Sequence, residues 1–323
     1  MAICRAGRGL VAILGVACLV AQWLPCAQAQ VKLEYKFPEG QKLTYKTTSR
    51  VRQGMTFNNM EKVSVMRETK LSTRSVGKRR DDTTLPIDEK VEFLRVEYTF
   101  PTGTKLTLDS SDPKITIDDP ELKFLGDVFK LESSIAYKVV LEGLAKVKSI
   151  DVAANVKEKA EKISDSNVRE EIQNEISADR LKRKFEQALH NLPASQTRVG
   201  EPWERTEILE INGKTFTVRR KYEYRGTEKK GDKTLDKISF KVLEVKYDQD
   251  PMGKLPVKVV KSELKVDSSD GTILFNRQDG HVVSASHKIR VKGDMTYSGA
   301  GVEQSAPFDL TFDTNMQLQP PAK

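Results

Sequence analysis

The sequence predicts a β-rich α+β fold, in which two antiparallel sheet halves flank a helical insert and join into one curved sheet or half-barrel. Three observations predict it. Apolar residues alternate with charged ones through most of residues 30–148 and again through 195–319, the period of a half-buried strand. Between them, residues 149–194 space their apolar positions three and four apart, as an amphipathic helix does. Turn-forming residues punctuate the alternating stretches, as in Phe37-Pro38-Glu39-Gly40, Asn212-Gly213 and Asp279-Gly280.

Residues 1–29 read as an export signal. Arg5 and Arg8 precede an apolar run from Gly9 to Ala21, and the small residues of Ala27-Gln28-Ala29 fit a signal-peptidase site, with cleavage between Ala29 and Gln30. The run is shorter than the roughly 20 residues a membrane-spanning helix needs, so no transmembrane helix is expected once the signal leaves. All three cysteines, Cys4, Cys18 and Cys26, lie in this leader. Lipid attachment at Cys26 is disfavoured because Trp23-Leu24-Pro25 precede it where small residues are required. A cysteine-free, exported, periplasmic or extracellular chain follows, long enough to be stable without disulfides.

In the N-terminal β half, residues 30–148, Leu33, Tyr35 and Phe37 share one parity and lead into Pro38-Glu39-Gly40, which predicts a hairpin. Tyr35–Thr44 is echoed by Tyr98–Thr107, and Lys105–Asp112 by Glu263–Asp270, each echo of the second kind ending in an expected Asp/Ser turn. In the helical segment, Val152, Val156, Ala160 and Ile163 predict one helix and Val168, Ile172 and Ile176 a second. Ser177 would cap a third helix carrying Leu181, Phe185, Ala188 or Leu189, and Leu192, closed by Pro193. In the C-terminal β half, residues 195–319, the sets Phe216/Val218/Tyr222/Tyr224, Ile238/Phe240/Val242 and Val283/Ala285/Ile289/Val291 predict strands. Gly226–Lys233 and Asp248–Leu255 read as exposed loops, Glu303–Phe312 as a last strand and residues 320–323 as a frayed tail.

The composition excludes much chemistry. Without cysteines after Gln30, thiol catalysis, thiolate metal sites and disulfide exchange are ruled out for the processed chain. The net charge of +8 falls by two when Arg5 and Arg8 leave, and the basic clusters Lys78-Arg79-Arg80, Lys182-Arg183-Lys184 and Lys229-Lys230 are short and scattered. They fit a solvated surface and do not predict nucleic-acid binding. The three histidines, His190, His281 and His287, are not at metal-ligand spacing; His281 and His287 share a parity and so one sheet face. No Gly-x-Ser-x-Gly occurs. Asp118-Asp119 is the most conspicuous carboxylate pair, but neighbours on extended chain point to opposite faces; Asp109, Asp112, Asp267 and Asp270 are expected to bond turn backbone. No catalytic, cofactor-binding or metal-binding residue is therefore assigned, and no cofactor is expected. A carboxylate-dependent hydrolase is the enzymatic alternative. Trp203 is expected to be a buried anchor after the helical segment.

Three stretches resemble a group of uncharacterised exported bacterial proteins, common in planctomycetes, that carry a domain of unknown function. They are Leu33–Tyr45, Ser177–Trp203 with its Leu192-Pro193 and Gly200-Glu201-Pro202-Trp203, and Gly271–Ser286. The group has no established activity, so the resemblance transfers no site residue. In element order alone the chain is also similar to periplasmic lipoprotein carriers, whose curved sheet is covered by helices. The functional expectation is an exported noncatalytic envelope protein, structural or binding. The alternative is a periplasmic carrier that holds an apolar ligand or lipid under its helices.

Overall fold

Alternation becomes hydrogen-bonded strand over most of the chain. The computed structural model describes residues 30–320 apart from 58–59, 81–82, 113–116, 118, 120–121, 144–145, 164, 212–213, 249–257 and 300–301. The leader, with Cys26 and Ala29, lies outside the described residues, and the sequence of the described residues contains no cysteine.

The N-terminal half contributes β1 (Lys42–Phe57), β2 (Met60–Val76), β3 (Thr84–Thr99), β4 (Lys105–Asp109), helix α1 (Lys123–Glu132), β5 (Ala136–Glu142) and β6 (Lys146–Val152). Helices α2 (Ala154–Glu161), α3 (Ser166–Glu175) and α4 (Ala178–Leu189) follow. The C-terminal half is a run of long strands: β7 (Pro202–Ile211), β8 (Lys214–Lys230), β9 (Lys233–Asp248), β10 (Lys258–Asn276), β11 (His281–Gly299) and β12 (Val302–Leu318). The twelve strands form one antiparallel sheet in the order β6-β5-β3-β2-β1-β12-β11-β10-β9-β8-β7, with β4 also on β3. The first and last strands meet in the middle, from Tyr45 opposite Leu318 to Met55 opposite Phe308, and this pairing fuses the two halves.

The sheet is strongly curled. Laid flat, ten strand spacings would hold β6 and β7 about 48 Å apart. Yet both bond the same short stretch at the end of α4. On β6, the Val147 amide donates to Glu186 Oε1 at 3.1 Å. On β7, Trp203 Nε1 donates to the Asn191 carbonyl at 3.3 Å and Arg205 Nε to the His190 carbonyl at 3.0 Å. Glu186 and Asn191 are about 7.5 Å apart at helical rise, so the open sheet curls until its two edge strands flank the end of α4. Phe185 and Leu189 of α4 seal it against Leu85, Ile87, Val139, Leu141 and Val147.

Several expectations are corrected. Leu33, Tyr35 and Phe37 do not form a hairpin strand: their segment is an extended strap across the inside of the sheet. It is held by Lys36 N–H to the Gly280 carbonyl at 2.9 Å and by the Val31–Thr197 pair. The turn after it survives, with Gln41 N–H bonding Pro38 O at 3.1 Å. Helix α1 stands where only strands were expected, and Ile150 and Val152 belong to β6, since α2 starts at Ala154. Gly226–Lys233 is mostly strand, because β8 and β9 pair as far as Lys230 opposite Lys233. Asp267-Ser268-Ser269-Asp270 is not a turn but the interior of β10, bulged between Val266 and Ser268, and Asp267 faces Lys292 at 3.3 Å. Asp279-Gly280 ends a four-residue turn, with Asn276 opposite His281. Asn212-Gly213 and most of the Asp248–Leu255 stretch lie outside the described residues, and β12 extends from Val302 to Leu318.

Candidate functional site

Register decides what the concave face presents. Across β11, β12, β1, β2 and β3, one row of directly opposed residues reads His287, Thr314, Ser49, Glu68 and Val96. These strands carry no register shift at that row, so all five side chains point inward with their buried same-parity neighbours Ile289, Val51 and Leu94. In the other direction the row continues through Gly271, Phe240, Tyr222 and Trp203. A polar band thus crosses an otherwise apolar interior. On the helix side lies the cluster of Leu33, Leu192, Tyr222, Ile238, Ile273 and Phe275. On the far side lies that of Val51, Val218, Val245, Ile289, Met295 and Leu310.

The band is packed at its β7–β9 end and half open at its centre. Thr47, Ser49, Glu68, Lys70, Ser72, Thr314 and Met316 are all half-buried, and Ser49 Oγ and Thr314 Oγ1 are 3.2 Å apart. At the packed end Tyr222 donates its hydroxyl to Glu207 Oε1 at 2.6 Å, and Glu207 Oε2 accepts from Arg220 Nη1 at 2.5 Å. Tyr222 is pushed up in pKa by burial and then by the Glu207 charge. Arg220 lies over the Phe240 ring, its Cζ 5.5 Å from the centroid, and His287 packs on the same ring at 5.0 Å. Arg220 Nε and His287 Nε2 are both buried without a hydrogen-bond partner. Burial and then the Arg220 charge lower the His287 pKa to about 3, so this imidazole is neutral.

A second ionic group lies under the helical cover. Arg74 of β2 and Glu89 of β3 form a tight ion pair, with Arg74 over the Phe185 ring at 5.1 Å to the centroid. On α1, Glu132 is pushed up to about 7 by burial and by the Glu68 and Glu175 charges, against Lys70 and Lys184.

The residues singled out in the sequence scatter. His281 does not share a face with His287, because the register shift between Leu274 and Phe275 places Val282 opposite the inward Phe275 and turns His281 the other way. His190 is the C-cap of α4, and Arg205 places its guanidinium on the His190 and Leu192 carbonyls just past the helix end. Trp203 is half-buried and stacked on Tyr222 at 5.6 Å. Asp109 accepts from Ser111 N–H at 2.9 Å and Ser111 Oγ at 2.6 Å, an Asx turn that also lowers its pKa. The Asp119 backbone carbonyl accepts from Leu122 N–H at 3.1 Å ahead of α1, and Asp118 lies outside the described residues. Lys78-Arg79-Arg80 lies in the connection between β2 and β3, Lys182-Arg183-Lys184 on α4 and Lys229-Lys230 at the end of β8. Arg220, Glu207, Glu68 and Glu132 were not singled out, since each is one charge among many until pairing brings them inward.

Two recesses flank this interior. One of about 440 Å³ is charged, lined by Lys32, Glu34, Lys36, Asp236 and Arg277. Another of about 250 Å³ lies between β6 and α2–α3, lined by Ile150, Val152, Ala160 and Ile176. Among the described residues no group of three His, Asp or Glu side chains is placed to hold a metal ion, and no helix is long and apolar enough to cross a membrane.

No family model matches the chain, and no curated protein matches it. Among solved structures it is similar to lipovitellin, described in terms of its lipid–protein interactions, at 9% identity and a TM-score of 0.41. That match covers 89% of this chain, which spans 26% of the length of the lipovitellin chain. The translocator domain of the autotransporter NalP from Neisseria meningitidis matches at 7% identity over 87% of this chain and 88% of that one, with a TM-score of 0.21. A DUF1329 family protein from Desulfovibrio piger matches at 7% identity over 88% of each chain, with a TM-score of 0.13. At such scores these likenesses assign no function.

Proposed function

We propose that the protein is exported and acts as a noncatalytic binding protein of the cell envelope, holding an amphipathic ligand along the concave face of its sheet. The leader pattern of Arg5, Arg8, Gly9–Ala21 and Ala27-Gln28-Ala29 supports export. The observation that carries the binding reading is the row His287–Thr314–Ser49–Glu68, a half-open polar band between two apolar bodies. A sheet that served only as a packed scaffold gains nothing from polar groups at inward positions, since burying them opposes folding. A ligand with an apolar body and a polar head matches both surfaces. Native mass spectrometry of protein purified under mild conditions, followed by lipid extraction, tests it. A stoichiometric amphiphile is expected, and a bare protein that also takes up no added amphiphile would leave only a structural role.

A second reading is carboxylate-dependent hydrolysis, because burial, and then the charges of Glu68 and Glu175, push the Glu132 carboxyl up to about 7. Turnover of chromogenic ester or glycoside substrates, abolished by Glu132→Gln, would replace the first reading with this one.

A further inference from the structure

We propose that Arg220 and His287 form the head-group anchor of the concave face, receiving an uncharged oxygen, hydroxyl or ester carbonyl, of an amphipathic ligand. The inference rests on the binding role above and specifies its chemistry. Its basis is a pair of unsatisfied atoms. Arg220 Nε and His287 Nε2 are buried and unpartnered, and both side chains lie against the Phe240 ring. Buried polar atoms without partners are uncommon in native structures, and two against one ring mark a place where hydrogen-bonding oxygen is missing.

The neighbours define what that partner is. Arg220 Nε–H can only donate, so the partner must accept. The Arg220 charge is already matched by Glu207, whose other oxygen takes the Tyr222 hydroxyl. His287 is neutral, and the next charged residue along the row is Glu68, an acid. A second anion would enter with no free positive charge, whereas a neutral oxygen completes the hydrogen bonds without adding charge. The surroundings fit an apolar tail: Phe240 and Phe312 flank the imidazole, with ring centroids 5.0 and 6.3 Å away, and Val218, Val242 and Ile289 continue into the far apolar cluster.

The chain has only three histidines, which makes the test direct. Wild-type protein labelled with ¹⁵N-histidine is titrated with monoolein, which carries both hydroxyls and an ester, and in parallel with oleate, while native mass spectrometry records binding. The His287 Nε2 resonance is expected to move on monoolein binding while those of His190 and His281 stay, and oleate is expected to bind at least tenfold more weakly. Monoolein bound with His287 unmoved overturns the anchor and leaves the binding role standing. So does an oleate response equal to that of monoolein. Failure of both amphiphiles to bind overturns the anchor together with the binding role. His287→Phe, which keeps a ring in the same space, is expected to weaken monoolein about tenfold, and an unchanged affinity would count against the anchor.

Discussion

The ring of Phe240 fills the space in which a side chain on Gly271 would stand. A Cβ added there would lie 2.3 Å from Cζ and 2.5 Å from both Cε atoms of that ring, because Gly271 is directly opposite Phe240 on the neighbouring strand. The aromatic ring lies over bare backbone, where Arg220 and His287 both pack against it. Gly271→Ala is expected to force the ring out at about 1–3 kcal/mol, the usual cost of overpacking a core. Urea unfolding measures it, and an unchanged midpoint would show that the ring has somewhere else to go.

His287 sets an acid limb of stability. Its folded pKa, about 3, lies below the ordinary 6.5, chiefly through burial. The unfolded chain therefore binds the proton more tightly. The contribution is complete above pH 6.5 and is lost as pH falls toward 3, amounting to up to about 4–5 kcal/mol. His287→Phe is expected to flatten this limb, as read by chemical denaturation at pH 4 and pH 7. An equal pH dependence in the variant would refute the assignment.

Glu132 acts with the opposite sign. Its folded pKa of about 7 exceeds the ordinary 4.5, again mainly through burial. The native state holds this proton more tightly, so the stabilisation is full below pH 4.5 and disappears as pH rises through 7, by up to about 3 kcal/mol. Glu132→Gln is expected to be more stable than wild type at pH 8 and to lose that slope. Thermal melts at pH 5 and pH 8 decide the matter, and a wild-type slope retained in the variant would exclude Glu132 as its source.

Phe37 locks the strap onto the helical cover. It is buried with Ile87, Val139 and Phe185, and Tyr35 beside it donates its hydroxyl to the Ala188 carbonyl at 3.1 Å. Phe37→Ala is expected to cost about 3–5 kcal/mol, the range for a large aromatic core truncation. Hydrogen exchange should show α4 and β6 amides losing protection first, and a uniform loss over the sheet would contradict a local lock.

Processing is checked by mass. Expressed in a secretion-competent bacterium, the chain is expected to be recovered outside the cytoplasm with Gln30 at its N-terminus. An acylated N-terminal Cys26 would mean a lipid anchor instead, and an intact leader would remove the basis for export.

Much of the fold was legible because local chemistry writes it. Asp165 accepts from Asn167 and Val168 N–H at 2.8 and 2.9 Å as the N-cap of α3, where the spacing break stands in the sequence. Ser177 stands at the N-cap position of α4 as expected, although its side chain makes no capping hydrogen bond. Phe216, Val218, Tyr222 and Tyr224 are all buried, as their shared parity requires. Helix α1 was missed because its apolar residues Phe124, Leu125, Val128, Phe129 and Leu131 fall in a short segment set among strands. The candidate site was hardly legible. Ser49, Glu68 and Thr314 are unremarkable in sequence and acquire meaning only as neighbours of His287 in one row.

By itself the sequence determined that long stretches of strand flank a helical segment, where several of the caps and turns fall, and that no thiol follows residue 29. Those properties depend on side-chain period, caps and composition, all set within a few residues. Only the tertiary structure decided that β1 pairs with β12, that the sheet curls until β6 and β7 reach the same helix end, and that a bulge turns His281 away from His287. The reason is physical. Period two states that a side chain lies on one face or the other, but the partner strand and each one-residue register shift set which face and beside whom. These are choices made by packing across the whole chain.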